Sequence, residues 1–187
     1  MIEIRPLMEL NTDDLRRVIT GYCSTEYYRV SVEETDEKTT FNLHLEPLSE
    51  PHQNDFQPYL DEETIMRYEN AIEFNISLGA FSGGQMVAVA IAEPESWNRS
   101  LWIWEFHVAE GWQGQGIGTL LLDALAEKAR AAGLRIMVAE TQNTNVKAIQ
   151  FYRKLGFRIE GVDISYYSNQ DMESGREVAI FMKRRLV

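Results

Sequence analysis

The sequence predicts a single α/β (α+β) domain with a mixed, mostly antiparallel central sheet flanked by helices. Three observations carry this prediction. Apolar segments at 74–81 and 86–92 are joined by Ser82-Gly83-Gly84-Gln85, a β-hairpin signature, and 101–108 adds a third strand after a turn at 94–99. A glycine-rich turn at 111–118 leads into an amphipathic helix over 117–131, with Ile117, Leu121, Ala124 and Leu125 on one face. Beyond Gly133, which stops that helix, strand and helix alternate: strand 134–140, helix 145–155 ended by Gly156, then strands 157–164 and 178–183.

The N-terminal part is read the same way. Ile2-Glu3-Ile4-Arg5-Pro6-Leu7 alternates as an opening strand. Asn11-Thr12-Asp13-Asp14 caps a helix that carries Leu15, Val18 and Ile19 at helical spacing. Residues 31–60, acidic and holding Pro47, Pro51 and Pro58, read as a long loop or short irregular pieces. Asp61-Glu62-Glu63-Thr64 opens a helix toward Glu73. No internal repeat or linker divides the 187 residues.

Composition narrows the function. Hydrophobic residues make up 44% and aromatic residues 11%, enough for a real core. Cys23 is the one cysteine, so an intrachain disulfide framework is excluded, and it reads as an inert buried thiol. No apolar run reaches a membrane span and the acidic N-terminus lacks a secretory pattern, so a soluble cytoplasmic protein is expected. The net charge of −11 is concentrated in 31–63, which hold ten carboxylates against Lys38. That balance disfavours nucleic acid and suits a cationic small molecule, with Glu33, Glu34, Asp36 and Glu37 as candidate contacts. His44, His52 and His107 are too scattered for a metal site, and none is expected.

The sharpest local signal is Gly111-Trp112-Gln113-Gly114-Gln115-Gly116-Ile117-Gly118, between a strand and a helix. Glycines free the backbone and leave no Cβ before a ligand, and unpaired amides at a helix start suit a phosphate. A P-loop fails because Ile117 stands where lysine is required, and a dinucleotide fingerprint fails at Thr119. What remains is Gln113-x-x-Gly116-x-Gly118. It is followed downstream by Asn145-Val146-Lys147-Ala148-Ile149-Gln150-Phe151-Tyr152-Arg153-Lys154-Leu155-Gly156-Phe157.

Together these resemble the acyl-CoA loop and the N-x-x-A-x-x-F-Y-x-x-x-G-F helix of the GNAT superfamily of N-acetyltransferases, clearly over 74–164. Within that family, Ala139-Glu140-Thr141-Gln142-Asn143-Thr144-Asn145, Phe157-Arg158-Ile159-Glu160-Gly161-Val162-Asp163 and Tyr166-Tyr167 resemble streptothricin acetyltransferases. The resemblance implies that acetyl-CoA is held by Phe106, His107 and Val108 on a bulged strand, by Gln113, Gly114, Gln115, Gly116, Ile117, Gly118 and Thr119 in the turn, and by Asn145, Ala148 and Tyr152. It also implies an acceptor-side part over 1–73 and a coenzyme core over 74–164. Most members carry arginine where this chain has Gln113, which loses a charge but keeps a donor.

Acetyl transfer to an amine needs a group that removes the ammonium proton and one that protonates the departing thiolate. Glu105, of opposite parity to Trp104 and Phe106, and Glu140 at a strand end are both candidates for the first role, directly or through water. The family resemblance gives the second to Tyr152. Trp97, Trp102 and Trp104 are available to pack an acceptor or the core. The expected activity is acetylation of a cationic small-molecule amine, of streptothricin type and hence antibiotic resistance, by a monomer or homodimer without nucleic acid or membrane. A protein or peptide N-acetyltransferase and a non-catalytic acyl-CoA-binding module are the alternatives.

Overall fold

The computed structural model describes residues 1–173 and 175–186. In chain order the elements are β1 (Ile2–Pro6), α1 (Thr12–Val18), β2 (Tyr22–Glu34), β3 (Thr39–Asn54), α2 (Glu62–Ile72), β4 (Leu78–Ser82), β5 (Gln85–Glu95), β6 (Ser100–Val108), α3 (Ile117–Ala131), β7 (Ile136–Gln142), α4 (Val146–Lys154), β8 (Arg158–Asp163) and β9 (Ala179–Arg185). They form two compact units. One comprises Met1–Gly21, Asp55–Ala139 and the C-terminal residues from Arg184; the other comprises Tyr22–Asn54 and Glu140–Lys183.

In the first unit the strands lie in the order β1-β4-β5-β6-β7. The first three pairings are antiparallel, and β6 runs parallel to β7 through Ser100–Ile103 and Ile136–Ala139. The sheet is thus mixed and mostly antiparallel, as expected. Strand β5 is buried at every residue from 86 to 92, the mark of a strand covered on both faces. One face meets Leu15, Val18 and Ile19 of the α1 segment and Leu60, Tyr68, Ala71 and Ile72 in and before α2. The β4–β5 turn requires its glycines: Gly83 and Gly84 have φ of +56° and +85°. Asn11 and Asp61 cap α1 and α2 by accepting from the amides of Asp14 and Thr64 at 3.0 and 2.8 Å. Residues 74–77 precede β4 rather than belonging to it.

Strand β6 carries one extra residue. Ile91 pairs with Glu105 and Ala92 with Ile103, which leaves Trp104 as a bulge. Strict alternation would place Trp104 and Glu105 on opposite faces. Instead both reach α2: the Arg67 guanidinium lies 5.5 Å from the Trp104 ring centroid, and the Tyr68 hydroxyl donates to Glu105. The bulge expected from the family resemblance is present in β6.

The second unit corrects the reading of residues 31–60. Residues 22–54 form a long antiparallel hairpin, β2–β3, not an irregular loop. Tyr28, Val30 and Val32 pair with Leu45, Leu43 and Phe41 on one face, while Tyr27, Arg29 and Glu33 pair with Glu46, His44 and Thr40 on the other. This is period-two alternation, obscured in the sequence by acids and prolines. Pro47 and Pro51 lie at or within the register shift where Ser24 pairs with His52 but Glu26 with Pro47, so the missing N–H groups interrupt little of the ladder. Glu33, Glu34, Asp36 and Glu37 are exposed around the hairpin tip. Cys23 is exposed on β2, contrary to the expected buried thiol. Strands β8 and β9 are antiparallel, with a register shift between Ile159 and Gly161. No helix among the described residues is long and apolar enough to cross a membrane.

Candidate active site

The glycine turn follows β6 directly. Gly114 and Gly116 sit at φ of +75° and +82°, in the left-handed region where any Cβ is strained. Gly116 caps the N-terminus of α3, and the first helical bond runs from the Leu120 amide to the Gly116 carbonyl at 3.1 Å. The amides of residues 114–119 have no acceptor among the described residues. A Cβ at Gly111, Gly114 or Gly116 would meet nothing within 4 Å, so the turn is open rather than packed. Unpaired amides, the positive end of a 15-residue helix and an open approach fit a pyrophosphate. Gln113 does not leave its side chain free for that purpose: its Nε2 donates to the Val108 carbonyl at 3.0 Å. Gln115 likewise donates to Gly111 at 3.1 Å, so both amides brace the turn.

Glu105 and His107, near the end of β6, form a cluster with Tyr68 of α2. Tyr68 donates to one carboxylate oxygen of Glu105, and His107 Nε2 lies 2.6 Å from the other. Burial, then the Glu105 charge, push the Tyr68 phenol well above its ordinary range. The His107 ring meets Phe56 edge to face at 5.5 Å. Trp104 donates its indole N–H to Glu93 at 3.0 Å, Trp102 packs on Trp104, and Trp97 is 82% exposed.

In the second unit Asn145 caps α4, its side-chain oxygen accepting from the Ala148 amide at 3.2 Å. Tyr152 is 6% exposed, its ring 5.5 Å from Phe151 and 5.0 Å from Phe157. Gly156 ends α4 at φ +86°. Glu140 accepts from the Tyr167 hydroxyl, and burial with the Glu140 charge raises that phenol strongly.

One carboxylate here escaped the sequence reading. Glu177 accepts from Tyr22 and Thr144 at 2.6 Å and Asn54 at 2.9 Å, with His52 Nε2 also at 2.9 Å. Burial, then Glu177, keep the Tyr22 phenol protonated far above its usual range. These partners come from positions 22–177 along the chain, so no local motif could have announced them. Glu177→Ala would strand several half-buried donors. A loss of about 2–4 kcal/mol in unfolding free energy is expected by denaturant titration, with Glu177→Gln losing less because its carbonyl still accepts.

The model of the acetyltransferase (GNAT) family matches residues 38–157, and the chain belongs to that family. The streptothricin acetyltransferase of Streptomyces lavendulae is 35% identical over 107 residues, 57% of this chain and 54% of that protein. The chain therefore spans about half the length of that relative. The [ribosomal protein bS18]-alanine N-acetyltransferase of Escherichia coli (strain K12) is 32% identical over 99 residues, 53% of this chain and 64% of that one. The crystal structure of nourseothricin acetyltransferase superposes with a TM-score of 0.79 at 23% identity, covering 100% of this chain and 99% of that chain, and establishes the likeness of fold.

Proposed function

We propose that the protein transfers an acetyl group from acetyl-CoA to a primary amine of a cationic small molecule of streptothricin type. The glycine turn carries this reading: amides 114–119 without an acceptor, ahead of α3 and open to approach, suit the coenzyme's pyrophosphate. When bound, acetyl-CoA supplies the activated acetyl thioester. The β6 bulge supports a role for the backbone of Phe106, His107 and Val108 in binding the pantetheine arm and thioester carbonyl. A preplaced amide of that kind contributes about 3 kcal/mol.

Glu105 takes the proton of the incoming ammonium, since it is half-buried yet reachable and directly precedes the coenzyme strand segment. Glu140, which accepts from the Tyr167 hydroxyl, is the second candidate. Tyr152 protonates the departing thiolate, and Asn145 and Ala148 contribute to holding the coenzyme. The exposed carboxylates of the hairpin tip favour a cationic acceptor. The match to the S. lavendulae enzyme supports the streptothricin class.

A peptide acceptor is the second reading, favoured by the match to the bS18-alanine enzyme. One screen separates them. Thiol release is followed with streptothricin, polyamines and a peptide bearing an N-terminal alanine, and mass spectrometry locates the added acetyl. Turnover of streptothricin with an inert peptide is expected. The reverse pattern assigns the peptide reading, and tight acetyl-CoA binding without turnover of any amine assigns a non-catalytic binding module.

A further inference from the structure

Glu105 is held at both oxygens. Tyr68 of α2 reaches Oε1, and His107, two residues along the same strand, reaches Oε2 at 2.6 Å. Tyr68 is 5% exposed, and the Glu105 and His107 side chains are each 18% exposed. Two donors from two elements fix both the rotamer and the plane of a carboxylate, which one donor cannot do. A free surface glutamate has three rotatable bonds and loses that freedom at each catalytic encounter.

The direction of each bond is also determined. Tyr68 donates to Glu105, because burial and the Glu105 charge keep its proton on. An ionised carboxylate has no hydrogen to give, so His107 contributes Nε2–H. The ring's edge-on packing against Phe56 holds it in that orientation. The other charges felt from α2 and its cap are those of Arg67, which lies over Trp104, and Asp61.

We propose that Tyr68 and His107 are positioning residues that clamp Glu105 for proton removal from the acceptor amine. The clamp rests on the reading of Glu105 as proton acceptor given above. It holds the carboxylate in one rotamer and one plane, aimed for the incoming amine.

The test is the split between kcat and KM in four variants, with melting curves to confirm folding. Tyr68→Phe and His107→Leu are expected to lower kcat about tenfold. The KM for acetyl-CoA should stay within about twofold, because the backbone at 106–108 is untouched. His107→Gln, which retains an N–H, should recover most of what His107→Leu loses. A parental kcat in Tyr68→Phe and His107→Leu overturns the clamp, as does equal loss in His107→Gln and His107→Leu. Should buried Tyr68→Phe fail to fold, the His107 pair decides alone. Glu105→Gln separates the two levels of the argument. If it turns over normally, Glu105 is not the base. If it is crippled while the other variants behave as the parent, the base stands and the clamp does not.

Discussion

Gly116→Val is expected to weaken acetyl-CoA binding about a hundredfold in a calorimetric titration. Two effects combine. The residue sits at φ +82°, where an L side chain costs about 1–2 kcal/mol, so valine pulls the turn out of shape. It also places methyl groups over the unpaired amides at the start of α3, shielding them from a pyrophosphate. No packing clash contributes, because a Cβ there meets nothing within 4 Å. The strain alone should lower the melting temperature by about 2–8 °C, while the larger loss is in binding. Gly111→Ala is the control. Gly111 lies outside the positive-φ set and its Cβ would also meet open space, so affinity should stay within about twofold. Parental affinity in Gly116→Val would move the pyrophosphate away from this turn.

Tyr152→Phe is expected to lower kcat about a hundredfold and to leave the acetyl-CoA KM within about threefold. The substitution keeps the ring. Its contacts with Phe151 and Phe157, 5.5 and 5.0 Å between centroids, belong to the phenyl group and survive. Only the hydroxyl is lost, and with it the proton proposed for the thiolate. Turnover equal to the parent would remove Tyr152 from the acid role and leave it a core aromatic.

These two positions belong to the part of the molecule that the sequence makes plain. The β4–β5 turn, α3 from residue 117 to 131, the left-handed Gly116 and the α4 cap at Asn145 each follow from local chemistry: glycine conformational freedom, apolar spacing and side-chain capping. The hairpin at 22–54 was hidden because its alternation runs beneath a dense layer of acids, and its prolines look like breakers until the register shift that accommodates them is seen. Tyr68 and Glu177 were hidden for another reason. Tyr68 lies 37 positions from Glu105, and Thr144 lies 33 from Glu177, so spacing says nothing of their meeting. Gln113 shows a third kind of limit. Its donor was foreseen, but that donor turned inward to Val108, a competition between partners that only coordinates resolve.

The extra residue in β6 makes this strand unequally tolerant of change. Substituting Trp104 alters one indole and its bond to Glu93. Deleting it would restore an even ladder against β5 and leave the faces as they are, because Ile91 already opposes Glu105 and Ala92 already opposes Ile103. Leu101 and Ile103 would stay in the interior and Glu105 and His107 on the other side. What the deletion takes away is the local bend and added twist that an unpaired residue gives a strand, so the extra position sets the path of the chain into the glycine turn rather than the side each residue faces.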